Sequence, residues 1–153
     1  MSDLIEPVKR GLEDVVGGRQ TKRRVLVTDD DANTLRVTKN IIEDFGYEVV
    51  ALERKGEALK RLREIKPDLV TTDLMSPGLG GFDFIRAIKE LDPTIPVIVI
   101  SGNINPSCDV DAENARKALQ LGAFDCLQKP FDVTELRQVV ERALKTRRSK
   151  AES

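Results

Sequence analysis

The chain has 153 residues, a formal net charge of −1 and 40% hydrophobic residues, which suits one globular domain with a real core. No segment approaches the roughly 18–20 continuous apolar residues of a membrane-spanning helix, and the balanced charge offers no general case for nucleic-acid binding. The absence of histidine excludes His-based triads, His-ligated zinc and a phosphohistidine on this chain. Two cysteines suit a reducing cytoplasm, where we expect the protein to be located.

Residues 1–23 form an N-terminal extension to the predicted domain. Their apolar residues recur at helical spacing until Gly17 and Gly18 interrupt the pattern. Two interpretations stay open: a disordered leader, or an amphipathic helix that docks on this domain or on a partner. The charged residues mixed into the segment argue against a signal peptide.

From residue 24 to residue 146, short apolar runs alternate with helical patterns. We predict strands at 25–28, 47–52, 69–72, 96–100 and 125–128, each followed by a helix. Strict alternation of five such units indicates an α/β fold with a parallel sheet covered on both faces. The last helix is predicted to begin at Asp132, with Glu135 completing a capping box, and residues 147–153 form a polar tail.

Helical spacing also predicts which residues two of the helices bury. The second helix is expected to be one segment burying Ala58, Leu59, Leu62 and Ile65. The third is expected to carry an apolar stripe of Phe82, Ile85, Ile88 and Leu91.

Polar residues follow four of the predicted strands, at the point where each strand ends. They are Asp29, Asp30 and Asp31 after the first strand, then Asp73, Ser101 and Lys129. Because the carboxyl ends of parallel strands share one edge of a sheet, we expect these groups to lie together. Each has a simpler interpretation in isolation, such as a helix N-cap for the first three acids. Four such strand ends in one sheet favour a site.

The chemistry of this set points to phosphoryl transfer. Neighbouring carboxylates repel each other, and Mg²⁺, which prefers hard oxygen ligands, would relieve that repulsion. An aspartate can form an acyl phosphate, and Asp73 is the natural nucleophile because it stands alone on the middle strand. The Lys129 ammonium and the Ser101 hydroxyl can contact a phosphoryl oxygen.

In this order, the motifs resemble the receiver domain of two-component response regulators over roughly residues 24–146. The matching stretches are 25–31, 68–73 with Pro77 and Gly81, 97–102 and 122–131. The resemblance implies a flavodoxin-like (βα)5 fold whose five parallel strands lie in the order 2-1-3-4-5. It also implies a cis peptide bond between Lys129 and Pro130.

The resemblance further assigns a role to each residue of the set. Asp73 would be the phosphoacceptor, and Mg²⁺ would be bound by Asp29, Asp30, Asp73 and the backbone carbonyl of Met75. Ser101 would be the switch hydroxyl, and Lys129 the phosphate contact. A histidine kinase or a histidine phosphotransfer protein would supply the phosphoryl group.

The expected output is contact with another protein. Only nine residues follow Leu144, so we expect a stand-alone receiver that signals to a downstream protein target. Its chemistry would be limited to its own phosphorylation and dephosphorylation. A homodimer stays open, whereas direct nucleic-acid binding and membrane insertion are not expected.

Two features depart from the family pattern. Cys126 stands where the family often carries an aromatic residue that reorients with the switch hydroxyl. The loop at residues 102–111 is several residues longer than usual. It is interpreted either as a tolerated surface insertion or as a lid or partner-binding element.

Two alternative functions remain at this stage. A haloacid-dehalogenase-like phosphatase would use Asp29 with Asp31, but it would leave Asp73 without a role. A receiver-like interaction module that never accepts phosphate would have no need of the complete set of polar residues.

Overall fold

A computed structural model describes the backbone of residues 22–74, 79–101 and 109–152. The N-terminal extension up to residue 21, Met75 and residues 102–108 of the long loop lie outside the described residues. Strands and helices alternate along the described chain. Their bounds are β1 Arg24–Thr28, α1 Ala32–Asp44, β2 Glu48–Leu52, α2 Lys55–Lys60, α3 Leu62–Ile65, β3 Leu69–Thr72, α4 Gly81–Leu91, β4 Val97–Ser101, α5 Asp109–Gln120, β5 Asp125–Gln128 and α6 Val133–Glu152.

The five strands form one parallel sheet in the order β2-β1-β3-β4-β5, which confirms the predicted fold. Val27 of β1 pairs with Thr71 of β3, and Thr72 pairs with Val99 of β4. This register brings the carboxyl ends of the three central strands to the same edge of the sheet.

Alternate residues of each central strand enter two separate cores. In β1, Val25 and Val27 pack with buried residues of α1 and α6 on one face of the sheet. Leu26 between them packs with residues of α2, α3, α4 and α5 on the other face. The central strands are therefore buried on both faces, as their continuous apolar runs predict.

Two details of the helices differ from the prediction. The second predicted helix is divided at Arg61, whose φ of −99° and ψ of 7° leave the helical range. The stripe of α4 is rotated: Phe84 is completely buried with Ile85 and Ile88, whereas Leu91, the last residue of the helix, is 43% exposed.

Local signals explain where the first and last helices begin and end. Gly46 follows α1 with a φ of 104°, a conformation that glycine adopts without steric cost. Asp132 caps α6, since its Oδ1 accepts a hydrogen bond from the backbone N of Thr134 at 2.8 Å. Helix α6 runs through Glu152, so residues 147–152 continue it. Among the described residues, no helix is long and apolar enough to span a membrane.

Candidate functional site

Asp29 and Asp73 lie side by side because of the strand register. Val27 and Thr71 are paired, and each aspartate follows its paired residue by two positions. Both carboxylates are buried, whereas the neighbouring Asp30 is exposed. Oxygens of the three carboxylates lie within 4.8 Å of one another, so the structure brings together the acids that the sequence singled out.

Two threonines lie beneath these carboxylates. The Thr28 hydroxyl donates to the Thr72 hydroxyl at 2.9 Å, and the Thr72 hydroxyl donates to the Asp73 backbone carbonyl at 3.0 Å. Both residues are buried. Their hydrogen bonds link the ends of β1 and β3 and hold the backbone that carries the acidic pair.

Asp31 is separate from this cluster and caps α1. Its carboxylate accepts hydrogen bonds from the Asn33 backbone N at 3.1 Å and from the Thr34 hydroxyl at 2.9 Å. The Thr34 bond, followed by the Asn33 bond, lowers the pKa of Asp31 from its usual value. The simpler interpretation as a helix cap therefore holds for Asp31 alone.

Lys129 and Ser101 close the site on the side of β4 and β5. The Lys129 ammonium lies 2.8 Å from Asp29 Oδ2, and the peptide bond from Lys129 to Pro130 is cis, as predicted. The backbone N of Lys129 donates to the Ser101 carbonyl at 3.0 Å. Ser101 is buried at the end of β4. This backbone bond sets the spacing between the hydroxyl residue and the lysine.

Lys55 is the site residue that the sequence interpretation missed. Its ammonium lies 2.5 Å from Asp73 Oδ1, and its side chain is only 1% exposed. It is the first residue of α2 and lies three positions before the buried Ala58. A lysine in register with an apolar helical stripe was the signal that could have revealed it.

The pKa of Asp73 is raised from its usual value. Burial is the largest cause, because it disfavours the charged carboxylate. The Lys55 ammonium opposes this shift, while the negative charge of Asp29 adds to it. Burial and carboxylate repulsion together outweigh the buried ion pair.

The donor set fits a hard divalent cation. Three carboxylate oxygens within 4.8 Å of each other are the ligands that Mg²⁺ prefers, and a cation among them would relieve their repulsion. The fourth predicted ligand, the Met75 carbonyl, lies outside the described residues.

Cys126, at the predicted switch position, lies in β5 and faces α5. Its thiol is half-buried and donates a long hydrogen bond to the Ala115 carbonyl at 3.8 Å. Burial, followed by the nearby Asp125 carboxylate, raises the pKa of the thiol to about 11. The side chain at this position is thus a small, neutral group in contact with α5.

The family model of the response regulator receiver domain matches residues 25–141. The chain belongs to this family, a class of receiver domains in two-component signalling. It is 37% identical to the DNA-binding transcriptional regulator NtrC of Proteus hauseri over 80% of this chain but only 25% of that protein. It is 33% identical to the chemotaxis protein CheY of Thermotoga maritima, over 80% of this chain and 98% of that protein.

The fold has close counterparts among solved structures. A response regulator receiver domain protein from Clostridium thermocellum superposes with a TM-score of 0.75 and 32% sequence identity. The match covers 86% of this chain and 99% of the solved one. The chain thus spans nearly all of a single receiver domain, but only about a quarter of the NtrC proteins that it matches.

Proposed function

We propose that this receiver accepts a phosphoryl group on Asp73 and signals the change by protein–protein contact. The proposal rests on one observation: a buried acid on the middle strand lies within 4.8 Å of two further acids and in contact with a lysine. The donor would be the phosphohistidine of a histidine kinase or of a histidine phosphotransfer protein, because this chain has no histidine.

The transfer would proceed by direct displacement at phosphorus. A carboxylate oxygen of Asp73 attacks, and the new P–O bond forms as the P–N bond to the donor imidazole breaks. The electron pair of the broken bond stays on the imidazole nitrogen, which takes a proton from solvent. The product on this chain is an acyl phosphate, whose later hydrolysis regenerates the Asp73 carboxylate.

The remaining residues would position the transferred group. Asp29, Asp30, Asp73 and the Met75 carbonyl would hold Mg²⁺, which when bound neutralises charge on the phosphoryl oxygens. Lys129 would exchange its contact with Asp29 for a phosphoryl oxygen, and the Ser101 hydroxyl would donate to another. Ser101 and Lys129 stand at the ends of β4 and β5, and a backbone hydrogen bond links the two residues, so their side chains would respond together.

The output would be a shift between two states of the surface formed by α5, β5 and α6. Phosphorylation adds about −1.5 to −2 charges, and the groups that bind the phosphoryl group stand at the ends of the strands beneath this surface. A downstream protein target, or a second copy of the chain in a homodimer, would bind one state preferentially. We propose no direct contact with nucleic acid and no insertion into membranes.

Two observations speak against the alternative functions. A phosphatase built on Asp29 and Asp31 would need both carboxylates at the substrate, yet Asp31 is exposed and engaged as the cap of α1. An interaction module that never accepts phosphate would not need buried, mutually repelling acids, whose clustering costs stability.

The decisive test is mass spectrometry after incubation with acetyl phosphate and Mg²⁺. The wild type should gain the mass of one phosphoryl group, and this adduct should not form when EDTA is present during the incubation. Asp73→Asn should gain none. Asp31→Asn is the matched control. Because the Asp31 carboxylate caps a helix, replacing it should leave the amount of adduct unchanged. Failure of the wild type to form an adduct, or its retention in Asp73→Asn, would overturn the proposal.

A further inference from the structure

We propose that Lys55 is a second phosphoryl-binding cation of this site: it holds Asp73 before transfer and then binds the phosphoryl oxygens. This inference rests on the proposed phosphorylation of Asp73. It concerns a contact that belongs to α2, an element that carries none of the residues predicted for the site.

The contact is unusually enclosed for a lysine. The ammonium lies 2.5 Å from Asp73 Oδ1, and the two side chains are 1% and 8% exposed. By contrast, the Lys129 side chain on Asp29 is 23% exposed. Lysine is rarely buried unless its charge is paired, and Asp73 supplies a paired charge here.

Fold stability alone does not account for a lysine at this position. Ala58, three residues further along α2, belongs to the apolar core, as does Leu62 at the start of α3. Replacing a buried ion pair with apolar residues of similar volume is often neutral or stabilising, because both charges must lose water. A buried ion pair on the proposed reacting carboxylate therefore favours a role in the chemistry.

The charges of the site indicate what that role is. With the acids ionised, three carboxylates and two ammonium groups carry one net negative charge. A bound divalent cation makes the site positive by one, and conversion of the Asp73 carboxylate into a phosphoryl dianion then makes it neutral. Without Lys55, the same phosphorylated site would carry one net negative charge.

Geometry allows Lys55 to follow the charge. When Asp73 becomes an acyl phosphate, the negative charge moves from the carboxylate to the phosphoryl oxygens. These oxygens are separated from the Asp73 carboxyl oxygen by the phosphorus atom alone. A lysine ammonium on a flexible four-carbon stem can make this short move while its stem stays packed. Helix α2 would then sense the phosphoryl group directly, independently of Ser101 and Lys129.

The proposal predicts opposite effects on two ligands. In the unphosphorylated site, the Lys55 charge opposes Mg²⁺, so Lys55→Met should bind Mg²⁺ roughly three- to tenfold more tightly. In the phosphorylated site the same charge stabilises the dianion. Lys55→Met should therefore bind beryllofluoride, a phosphoryl analogue, roughly three- to tenfold more weakly at saturating Mg²⁺.

Isothermal titration calorimetry would measure Mg²⁺ affinity, and ¹⁹F NMR would measure bound beryllofluoride. Lys60→Met is the matched control, because Lys60 lies on the same helix with an exposed side chain. Lys55→Arg retains the charge and should resemble the wild type more than Lys55→Met does. Circular dichroism checks folding, and Lys55→Gln tests the same two predictions if Lys55→Met does not fold.

The outcomes separate this inference from the proposed function. A wild type that binds beryllofluoride with Mg²⁺, beside a Lys55→Met variant with both affinities unchanged or both shifted in one direction, would overturn the role of Lys55 alone. A wild type that binds no beryllofluoride would overturn the proposed function and, with it, the role of Lys55. Opposite shifts in Lys55→Met, absent from Lys60→Met, would support it.

Discussion

The two ends of the sheet both carry clusters of charged residues, but they treat those charges differently. At the amino end, the Asp68 carboxylate accepts a hydrogen bond from the Arg24 backbone N at 2.9 Å and lies 3.5 Å from Arg147 Nε. At the carboxyl end, Asp29 and Asp73 are buried beside each other and repel. At the amino end, Asp68 has contacts from both Arg24 and Arg147, whereas the carboxyl end holds three acids for two lysines.

The pKa shifts at the two ends point in opposite directions. Burial raises the pKa of Asp73, and Asp29 adds to the effect. At Asp92, burial also acts to raise the pKa, but hydrogen bonds from Thr94 and the charge of Arg147 outweigh it, so the pKa is lowered. An acid that stabilises the fold at neutral pH is thus found at the amino end. At the carboxyl end, the ionised acid costs stability that binding chemistry can recover.

Gly81→Ala should have the largest effect, because it would disrupt the carboxyl end directly. A Cβ at Gly81 would lie 2.6 Å from the Leu74 Cα and 2.9 Å from the Asp73 carbonyl, both rigid backbone atoms. We expect a loss of about 1–3 kcal/mol in the free energy of unfolding, measured by urea denaturation. Displacement of Asp73 should also slow phosphorylation by acetyl phosphate.

Gly56→Ala is the control for Gly81→Ala. Nothing lies within 4 Å of a Cβ built at Gly56, which is inside α2. Alanine should therefore leave the free energy of unfolding unchanged or raise it by up to about 1 kcal/mol, since glycine disfavours helix. Equal losses in both variants would show that the close approach at Gly81 does not matter.

Lys129→Met should reduce function at the carboxyl end more than stability. The variant removes the ammonium that lies 2.8 Å from Asp29 and is proposed to contact the phosphoryl group. Phosphorylation by acetyl phosphate, followed on phosphate-affinity gels, should slow by roughly tenfold or more.

Arg147→Met is the matched change at the amino end. It removes contacts to Asp68 and Thr94 and should lower the free energy of unfolding by about 1 kcal/mol while leaving the phosphorylation rate unchanged. Slower phosphorylation in Arg147→Met, to the extent seen in Lys129→Met, would contradict the division of roles between the two ends.

Asp92→Asn should have the smallest effect, and its pH dependence sharpens the contrast. Because the folded pKa of Asp92 lies below 3.8, its carboxylate stabilises the fold at pH values above 3.8. The variant should lose less than about 1 kcal/mol at pH 7, since this side chain is partly exposed. The difference should shrink as the pH falls through 3.8 and vanish below the lowered pKa. A difference that grows on acidification would contradict the assignment.

The contrast also explains what the sequence could predict. Strand periodicity and the shared edge of a parallel sheet were enough to place Asp29, Asp73 and the end of β4 together, because strand register leaves little freedom. The division of the second helix at Arg61 could not be predicted from periodicity, since both segments retain helical spacing. Lys55 was missed because a charged side chain is usually exposed, although Lys55 lies three positions before the buried Ala58.

Other side-chain roles depended on contacts that pattern alone does not distinguish. Asp29, Asp30 and Asp31 are the same type of residue, yet of the three only Asp31 caps a helix, because it directly precedes α1. The hydrogen-bonded pair of Thr28 and Thr72 has no signature beyond two threonines at strand ends. The last helix was easier to predict, because a long stripe of buried residues and an Asp cap both specify its position.

The half-buried thiol of Cys126 is a chemical probe of the contact between α5 and β5. At neutral pH a thiol with a pKa of about 11 is protonated and slow to alkylate, and contact with α5 shields it further. The other cysteine of the chain, Cys108, would be replaced so that labelling reports on Cys126 alone. The labelling rate of Cys126 would then measure how often α5 separates from β5. Because Cys126 stands where the family often carries an aromatic residue, the rate at which α5 and β5 separate can be measured by thiol labelling.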